Sequence, residues 1–136
     1  MSGTGRDGMQ AEVEIVSRFI DLWEEDDGFT LAVNTYFTDG TVWENHGLLT
    51  TTGKEGALGF YHEFSEATGM KGMKIDVHAI AANGNRVLTH RTDWILDGDG
   101  KPVMEVPVMG IFEIVDGKII AWRDYFDTLK NSPPAE

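Results

Sequence analysis

Two stretches of the sequence place charged side chains beside apolar ones in a pattern that suits acid–base chemistry. Arg91 and Asp93 lie two residues apart in an alternating stretch, so on a strand their side chains share one face. By the same spacing, Trp122, Asp124 and Phe126 share a face of a second predicted strand. If the two faces meet in a pocket, burial and like-charge repulsion favour a state in which only one carboxyl is ionised. That carboxyl could act as a base, and the protonated one as an acid.

The walls of such a pocket would be apolar. Ile95 continues the face of Arg91 and Asp93, and an intervening strand supplies two inward valines. The predicted wall consists of Ile95, Val106, Val108, Trp122 and Phe126. The alternative interpretation is an ion pair on the protein surface, the commoner outcome for neighbouring Arg and Asp on strands, which adds little stability. Arg123 points to the opposite face from Asp124 and is predicted to lie outside the pocket.

Helical patterns fill the first half of the chain. Val13, Val16, Ile20 and Trp23 recur at three- and four-residue steps, which predicts an amphipathic helix over residues 10–25. Two further helices are predicted over residues 30–36 and 54–67, with a short strand between them over residues 41–45.

The second half alternates between apolar and polar residues, with glycine-containing turns between the stretches. This pattern predicts an antiparallel meander of strands over residues 73–79, 86–96, 102–115 and 118–127. Helices packed against one face of a curved antiparallel or mixed sheet give an α+β fold with an internal pocket. Residues 1–136 are predicted to form one domain, with flexible ends at about residues 1–9 and 129–136.

Composition excludes several classes of protein. The chain has 136 residues, with 11 Lys and Arg against 23 Asp and Glu, a formal net charge of −12. Such acidity disfavours binding to nucleic acid or to anionic membranes. Because there is no Cys, disulfides, thiolate metal sites and Cys nucleophiles are excluded. The His residues show no metal-binding spacing and no apolar run could span a membrane, so the sequence predicts a cytoplasmic protein without a metal.

Three segments carry a resemblance to a known family. Residues 110–127, GIFEIVDGKIIAWRDYFD, resemble the C-terminal signature of limonene-1,2-epoxide hydrolases. Arg91-Thr92-Asp93 is similar to that family's Arg-x-Asp element, and Trp43-Glu44-Asn45 sits where the family usually has Tyr-x-Asn. Part of the first segment also resembles the wider superfamily of cone-shaped folds, which includes ketosteroid isomerase, SnoaL-type polyketide cyclases and nuclear transport factor.

The resemblance implies a cone-shaped domain that forms a homodimer and needs no cofactor. It also implies a one-step hydrolysis of an epoxide to a vicinal diol, without a covalent intermediate. Asp124 would deprotonate a bound water, which Asn45 would help to hold. Asp93, in its protonated form, would donate to the epoxide oxygen as the ring opens, and Arg91 would bridge the two carboxyls. The implied partners are a small apolar epoxide and water.

Trp43 departs from the family pattern, in which a tyrosine helps to hold the water. We predict that Trp43 lines the substrate pocket. An indole has one N–H donor and no acceptor, so Trp43 is either a further contact to the water or a core aromatic. Two other functions therefore stay open: a SnoaL-like cyclase or isomerase, with one Asp as base at a carbon acid, and a non-catalytic protein that binds a small ligand. Trp94 and Tyr125 on the outer sheet face supply apolar area for the expected dimer interface.

Overall fold

The structure, a computed structural model, describes the backbone of residues 2–131 and the side chains of residues 10–129. Helices precede and interrupt the first strands, and four consecutive strands follow. The elements in chain order are α1 (Ser2–Leu22), α2 (Gly28–Tyr36), β1 (Phe37–Asn45), β2 (Leu49–Thr52), α3 (Gly53–Thr68), β3 (Gly72–Asn83), β4 (Arg86–Leu96), β5 (Pro102–Val115), β6 (Lys118–Tyr125) and α4 (Thr128–Asn131).

A six-stranded sheet in the order β2-β1-β6-β5-β4-β3 forms one layer of the fold. Strands β3 to β6 make the antiparallel meander that the turn pattern predicted, and β1 pairs in parallel with β6. The helices form the other layer: α1 contacts β3 and β4, α3 contacts β1 and β2, and α2 packs against both helices. The predicted α+β class, with helices against a mixed sheet, is confirmed. The sheet is open, with β2 and β3 at its edges.

Aromatic rings fill the space between the two layers. Phe19, on the predicted apolar stripe of α1, is fully buried and meets Trp122 of β6 edge-on, with ring centroids 5.4 Å apart. Trp23, one turn later, stacks on the same indole at 5.1 Å. Burial of one such side chain stabilises a fold by about 1.5–3 kcal/mol, and an aromatic pair adds about 0.5–1.5 kcal/mol. These contacts anchor α1 over the middle of the sheet.

The first helix is longer at its start than the sequence predicted. It begins at Ser2 rather than near residue 10. It ends at Leu22 rather than near residue 25, because the next three backbone N–H groups bond to carbonyls three residues back and form turns. Met1 and residues 132–136, which belong to the predicted flexible ends, lie outside the described residues, and the flexibility of both ends stays a prediction. No helix within residues 2–131 combines the length and the apolar character that crossing a bilayer requires.

Two further differences lie around the first strands. Helix α2 begins at Gly28, before the predicted start, at a turn so tight that a Cβ would overlap the carbonyl oxygen of Leu22 and only glycine fits. Strand β2 was not predicted, since it is only four residues long and its side chains show no alternation between buried and exposed. It pairs with β1 at one edge of the sheet.

Candidate active site

Neighbouring strands bring the four predicted catalytic residues to one place. Asn45 on β1 is the register partner of Asp124 on β6, and Gly110 on β5 is the partner of Asp124 on the other side. Arg91 and Asp93 lie on β4, the strand beyond β5. All four side chains are buried and face the helices' side of the sheet, as the strand periodicity predicted.

The guanidinium of Arg91 binds both carboxyl groups and is fully buried. Its Nε donates to Oδ1 of Asp93 at 2.9 Å, and its Nη2 donates to Oδ2 of Asp93 at 3.1 Å. The same Nη2 donates to Oδ2 of Asp124 at 2.6 Å, while Nη1 donates to Oγ1 of Thr89 at 3.1 Å. The guanidinium carbon also lies 5.3 Å from the ring centroid of Trp23, a cation–π contact. Every nitrogen of the guanidinium therefore has a partner.

Gly110 makes room for this bridge. Arg91 on β4 reaches Asp124 on β6 across β5, at the point where β5 carries no side chain. A Cβ on Gly110 would overlap Nη1 of Arg91 and Oδ1 of Asp124 and would lie 3.1 Å from Oγ1 of Thr89. The glycine is required for space, not for an unusual backbone conformation. The sequence placed Gly110 in the family signature but did not reveal this role.

Burial governs the charge state of the cluster. It raises the pKa of Asp124, and the charge and hydrogen bond of Arg91 oppose that rise. Burial also disfavours the charged form of Arg91, but the carboxylates of Asp124 and Asp93 outweigh it and raise the pKa of Arg91. With the guanidinium charged, one proton on the two carboxyls leaves the cluster neutral, whereas no proton leaves an excess negative charge in an apolar site. A second negative charge beside Arg91 is therefore costly in this site.

A second donor holds Asp124. Nε1 of Trp122 donates to Oδ1 of Asp124 at 2.7 Å, so one carboxyl oxygen binds the indole and the other binds Arg91. The sequence predicted Trp122 as part of the apolar wall, and this hydrogen bond was missed. The sequence could have predicted it, because Trp122 and Asp124 lie two residues apart on one strand face and an indole has one N–H to donate.

An apolar cavity of about 100 Å³ lies in front of the carboxyl groups. Asn45, Asp93 and Asp124 line it, whereas Arg91 lies behind them. The predicted wall residues all line it as well: Trp43, Ile95, Val106, Val108, Trp122 and Phe126. Residues that were not predicted complete the wall, among them Trp23, Phe29, Phe60, Tyr61, Met70 and Met104. In sequence, apolar residues at helical spacing look the same whether they line a cavity or fill a core.

Trp43 and Asn45 occupy successive inward positions of β1 but differ in what they offer to the cavity. The ring of Trp43 stacks on Trp122, with centroids 4.5 Å apart and planes at 8°. Its Nε1 is buried and has no hydrogen-bond partner in the described part of the chain, so the indole acts as a wall. Asn45 is 9% exposed and lines the cavity. Its side-chain amide makes no hydrogen bond to another described residue and is available to a ligand.

The outer face of the sheet carries the other polar candidates. Arg123 binds Glu113 at 2.6 Å and Glu44 at 3.5 Å, outside the pocket, as predicted. His90 also faces away from the cavity, with its ring 4.9 Å from that of His78. These groups are separated from the buried cluster by the sheet itself.

Comparisons with known proteins show which family the chain belongs to. The chain matches the family model of the limonene-1,2-epoxide hydrolase catalytic domain over residues 10–131. It is 33% identical over 112 residues to the epoxide hydrolase EphG of Mycobacterium tuberculosis (strain ATCC 25618 / H37Rv), covering 82% of this chain and 70% of that protein.

Solved structures show the same architecture. An LEH-like epoxide hydrolase from M. tuberculosis superposes with a TM-score of 0.71 at 30% identity, covering 89% of this chain and 86% of that one. A SnoaL-like protein from Jannaschia sp. CCS1 superposes with a TM-score of 0.73 at 22% identity, covering 93% and 96%, which shows a shared cone fold. The chain with the buried Asp93–Arg91–Asp124 cluster thus belongs to the limonene-1,2-epoxide hydrolase family.

Proposed function

We propose that this protein is a cofactor-independent epoxide hydrolase, which adds water to a small apolar epoxide in one step and yields a vicinal diol. The observation that carries the proposal is the buried Asp93–Arg91–Asp124 cluster, hydrogen-bonded throughout and facing an apolar cavity. Membership of the family supports the same class of reaction. An epoxide is strained but has a poor leaving group, so a base and an acid acting together lower the barrier more than either alone.

Asp124 is the base in this proposal. It is the neighbour of Asn45 across the β1–β6 pair, and the amide of Asn45 has no competing protein partner among the described residues. A water held between the two side chains gives its proton to Asp124 while its oxygen bonds to an epoxide carbon. Burial raises the pKa of Asp124, which makes it a better proton acceptor than a surface carboxylate.

Asp93 is the acid. Its side chain lines the same cavity, and in protonated form it donates to the epoxide oxygen as the carbon–oxygen bond breaks, so no free alkoxide forms. Arg91 binds both oxygens of Asp93 and neutralises the carboxylate that is left. One turnover thus moves a proton from water to Asp124 and another from Asp93 to product. Exchange of one proton between the two carboxyls restores the starting state.

The test is the hydrolysis of limonene oxide, cyclohexene oxide and styrene oxide to their diols. We expect turnover by the wild type, and a loss of about 10²–10⁴-fold in Asp124→Asn and in Asp93→Asn, since each removes one proton-transfer group. Asp116→Asn is the matched control, because Asp116 is exposed in the β5–β6 turn at a positive φ that asparagine tolerates. Wild-type rates in Asp124→Asn would refute the proposal.

A single turnover in ¹⁸O-labelled water tests the one-step character. With enzyme in excess over epoxide, direct attack by water places the label in the diol during the first turnover. A covalent ester on either aspartate would instead give an unlabelled diol first, because the added oxygen would come from the carboxyl group. Unlabelled first-turnover diol would therefore contradict the mechanism while leaving hydrolase activity in place.

A SnoaL-like cyclase or isomerase is the second candidate. Trp43 favours it, because the buried indole offers no donor to a water where the family has a tyrosine. In that reaction Asp124 would take a proton from carbon. Exchange of deuterium between a carbon acid and the solvent, with no diol from any epoxide, would support it.

A non-catalytic ligand-binding protein is disfavoured, because burying Arg91 with its carboxyls is costly and seldom retained for stability alone. Tight binding of an apolar ligand without turnover or exchange would support that third function.

We also propose that the protein forms a homodimer through the outer face of the sheet. Large apolar side chains are exposed there, and patches of this kind mark interaction surfaces. They include Leu88, Val103, Met109 and Tyr125. Light scattering should give twice the 15.1 kDa of one chain, and a single-chain mass would contradict the dimer. The cytoplasmic location stays a prediction.

A further inference from the structure

We propose that Trp122 is a positioning residue for the base: its indole N–H fixes the orientation of the Asp124 carboxylate and favours the ionised form that accepts the proton of water. The proposal rests on the proposed function, in which Asp124 deprotonates the attacking water. It gives Trp122 a role beyond that of an apolar wall, and the role is exerted through Asp124, not by contact with the reacting atoms.

Two donors clamp the carboxylate from different sides. Nε1 of Trp122 lies 2.7 Å from Oδ1 of Asp124, a length typical of hydrogen bonds to an ionised acceptor. Nη2 of Arg91 lies 2.6 Å from Oδ2. Because each donor binds a different oxygen, the carboxylate cannot rotate about its terminal bond without losing one of them. Each oxygen keeps a further lone pair, which leaves an acceptor for the proton of water.

Packing fixes the direction of the indole N–H. Trp122 is 2% exposed, and its ring stacks with Trp43 at 4.5 Å and with Phe112 at 5.5 Å. Phe19 meets it edge-on at 5.4 Å. A ring held by this many neighbours has one orientation, so its donor points at the carboxylate without any ordering when the substrate binds.

Trp43 provides an internal comparison. It is the register partner of Trp122 on β1, its ring belongs to the same stack, and it lines the same cavity. Its Nε1, however, contacts no acceptor in residues 10–129. Replacing each tryptophan by phenylalanine removes similar volume and one indole N–H, but only at Trp122 does that N–H bind the base.

The direction of the expected effect follows from the charge on the acceptor. Burial raises the pKa of Asp124, and the hydrogen bond from Trp122 lowers it, since a donor stabilises the ionised form. Removing the donor therefore raises the pKa of Asp124 further. Because the protonated carboxyl cannot act as a base, the acid limb of the pH profile of kcat/KM moves to higher pH.

The first experiment compares pH profiles of epoxide hydrolysis for the wild type, Trp122→Phe and Trp43→Phe. In Trp122→Phe the acid limb should move up by about one to two pH units, the size expected for a hydrogen bond to a charged group. The plateau kcat should fall about tenfold through misplacement of the base, with a smaller change in KM. In Trp43→Phe the acid limb should stay in place. An unmoved limb in Trp122→Phe would overturn the proposal.

The second experiment needs neither turnover nor a Trp122 variant that folds. In ¹H–¹⁵N spectra of the wild type, the indole resonance of Trp122 should move with pH at the midpoint of the ¹³C carboxyl titration of Asp124, and that of Trp43 should not. The movement should vanish in Asp124→Asn. An indole of Trp122 that ignores this titration overturns the proposal. A titrating indole in a wild type that hydrolyses no epoxide would instead refute the proposed function and leave the Trp122–Asp124 coupling supported.

Discussion

Each face of the sheet carries an arginine between two carboxyl groups, and the two clusters differ mainly in their access to water. On the inner face Arg91 is fully buried and binds two aspartates. On the outer face the side chain of Arg123 is 34% exposed and binds two glutamates. The shortest nitrogen–oxygen distance is 2.6 Å in both clusters. Contact geometry alone therefore does not separate a candidate catalytic group from a surface ion pair.

The two clusters differ in how costly an excess negative charge is in their surroundings. Around Arg123, water and salt screen the charges, so its ion pairs add little stability. Around Arg91, the apolar cavity makes an excess negative charge costly, and burial raises the pKa of Asp124. The inner cluster thus holds a carboxyl group with a raised affinity for a proton, which acid–base catalysis can use.

The strongest test of this contrast is the same substitution in both clusters. Arg91→Met leaves two buried carboxyls without their counter-ion, and we expect a loss of about 3–5 kcal/mol in the free energy of unfolding. Epoxide hydrolysis should fall by about 10³-fold or more, because the acid and the base lose their common anchor. Arg123→Met should change stability by at most about 1 kcal/mol and leave turnover near the wild-type rate.

Urea unfolding and kcat/KM, measured on both variants at one pH and salt concentration, give the comparison. Similar losses in the two variants would show that burial does not distinguish the clusters. A large stability loss in Arg91→Met with unchanged turnover would make the inner cluster structural and would also remove support for the proposed reaction.

A substitution of Gly110 should disturb the inner cluster less, and more locally, than the loss of Arg91. The added Cβ in Gly110→Ala would overlap Arg91 and Asp124, so we expect a loss of about 1–3 kcal/mol in stability and about 10²-fold in kcat. Gly59→Ala is the control, because Gly59 is exposed on α3 with no atom near the position of a new Cβ. That change should stabilise the protein by about 0.5–1 kcal/mol and leave kcat unchanged. Equal kcat values in the two variants would contradict the role of Gly110.

Strand periodicity predicted most of what these tests rely on. Arg91 and Asp93 share a face because strand side chains alternate, and the alternation also excluded Arg123 from the pocket. The class of fold followed from helical spacing in the first half and turn-bounded alternation in the second. Asn45 was predicted as a site residue only because residues 43–45 resemble a family motif. Local spacing could not predict it, since its neighbour in space, Asp124, is far away in sequence.

Other features depend on distances between residues that are far apart in sequence, and no local sequence pattern predicts these distances. Gly110 matters because two side chains from strands on either side of β5 meet above it. Trp122 and Trp43 look equivalent as apolar residues, yet of the two only Trp122 has an acceptor within reach of its N–H among the described residues. Strand β2 shows no alternation, and α2 begins at Gly28, where a Cβ would overlap the carbonyl oxygen of Leu22. Each of these is set by tertiary packing.

The smallest expected effect is on the pH dependence of stability. Because the pKa of Asp124 is raised in the folded protein, the native state binds this proton more tightly than the unfolded chain does. The stability that this proton contributes is fully present below the unfolded pKa and is lost as pH rises through the folded pKa. In Asp124→Asn the side chain cannot ionise, so its free energy of unfolding should rise relative to the wild type between pH 5 and pH 8.

Urea unfolding of wild type, Asp124→Asn and Glu113→Gln at both pH values measures this difference. Removing the outer carboxylate at Glu113 should give a change that is nearly the same at the two pH values, because water screens its pair with Arg123. If the curves for Asp124→Asn and the wild type ran parallel instead, the inner carboxyl would bind its proton no more tightly than the unfolded chain does. Burial would then not have raised the pKa of Asp124, and the two clusters would differ only in their exposure to solvent.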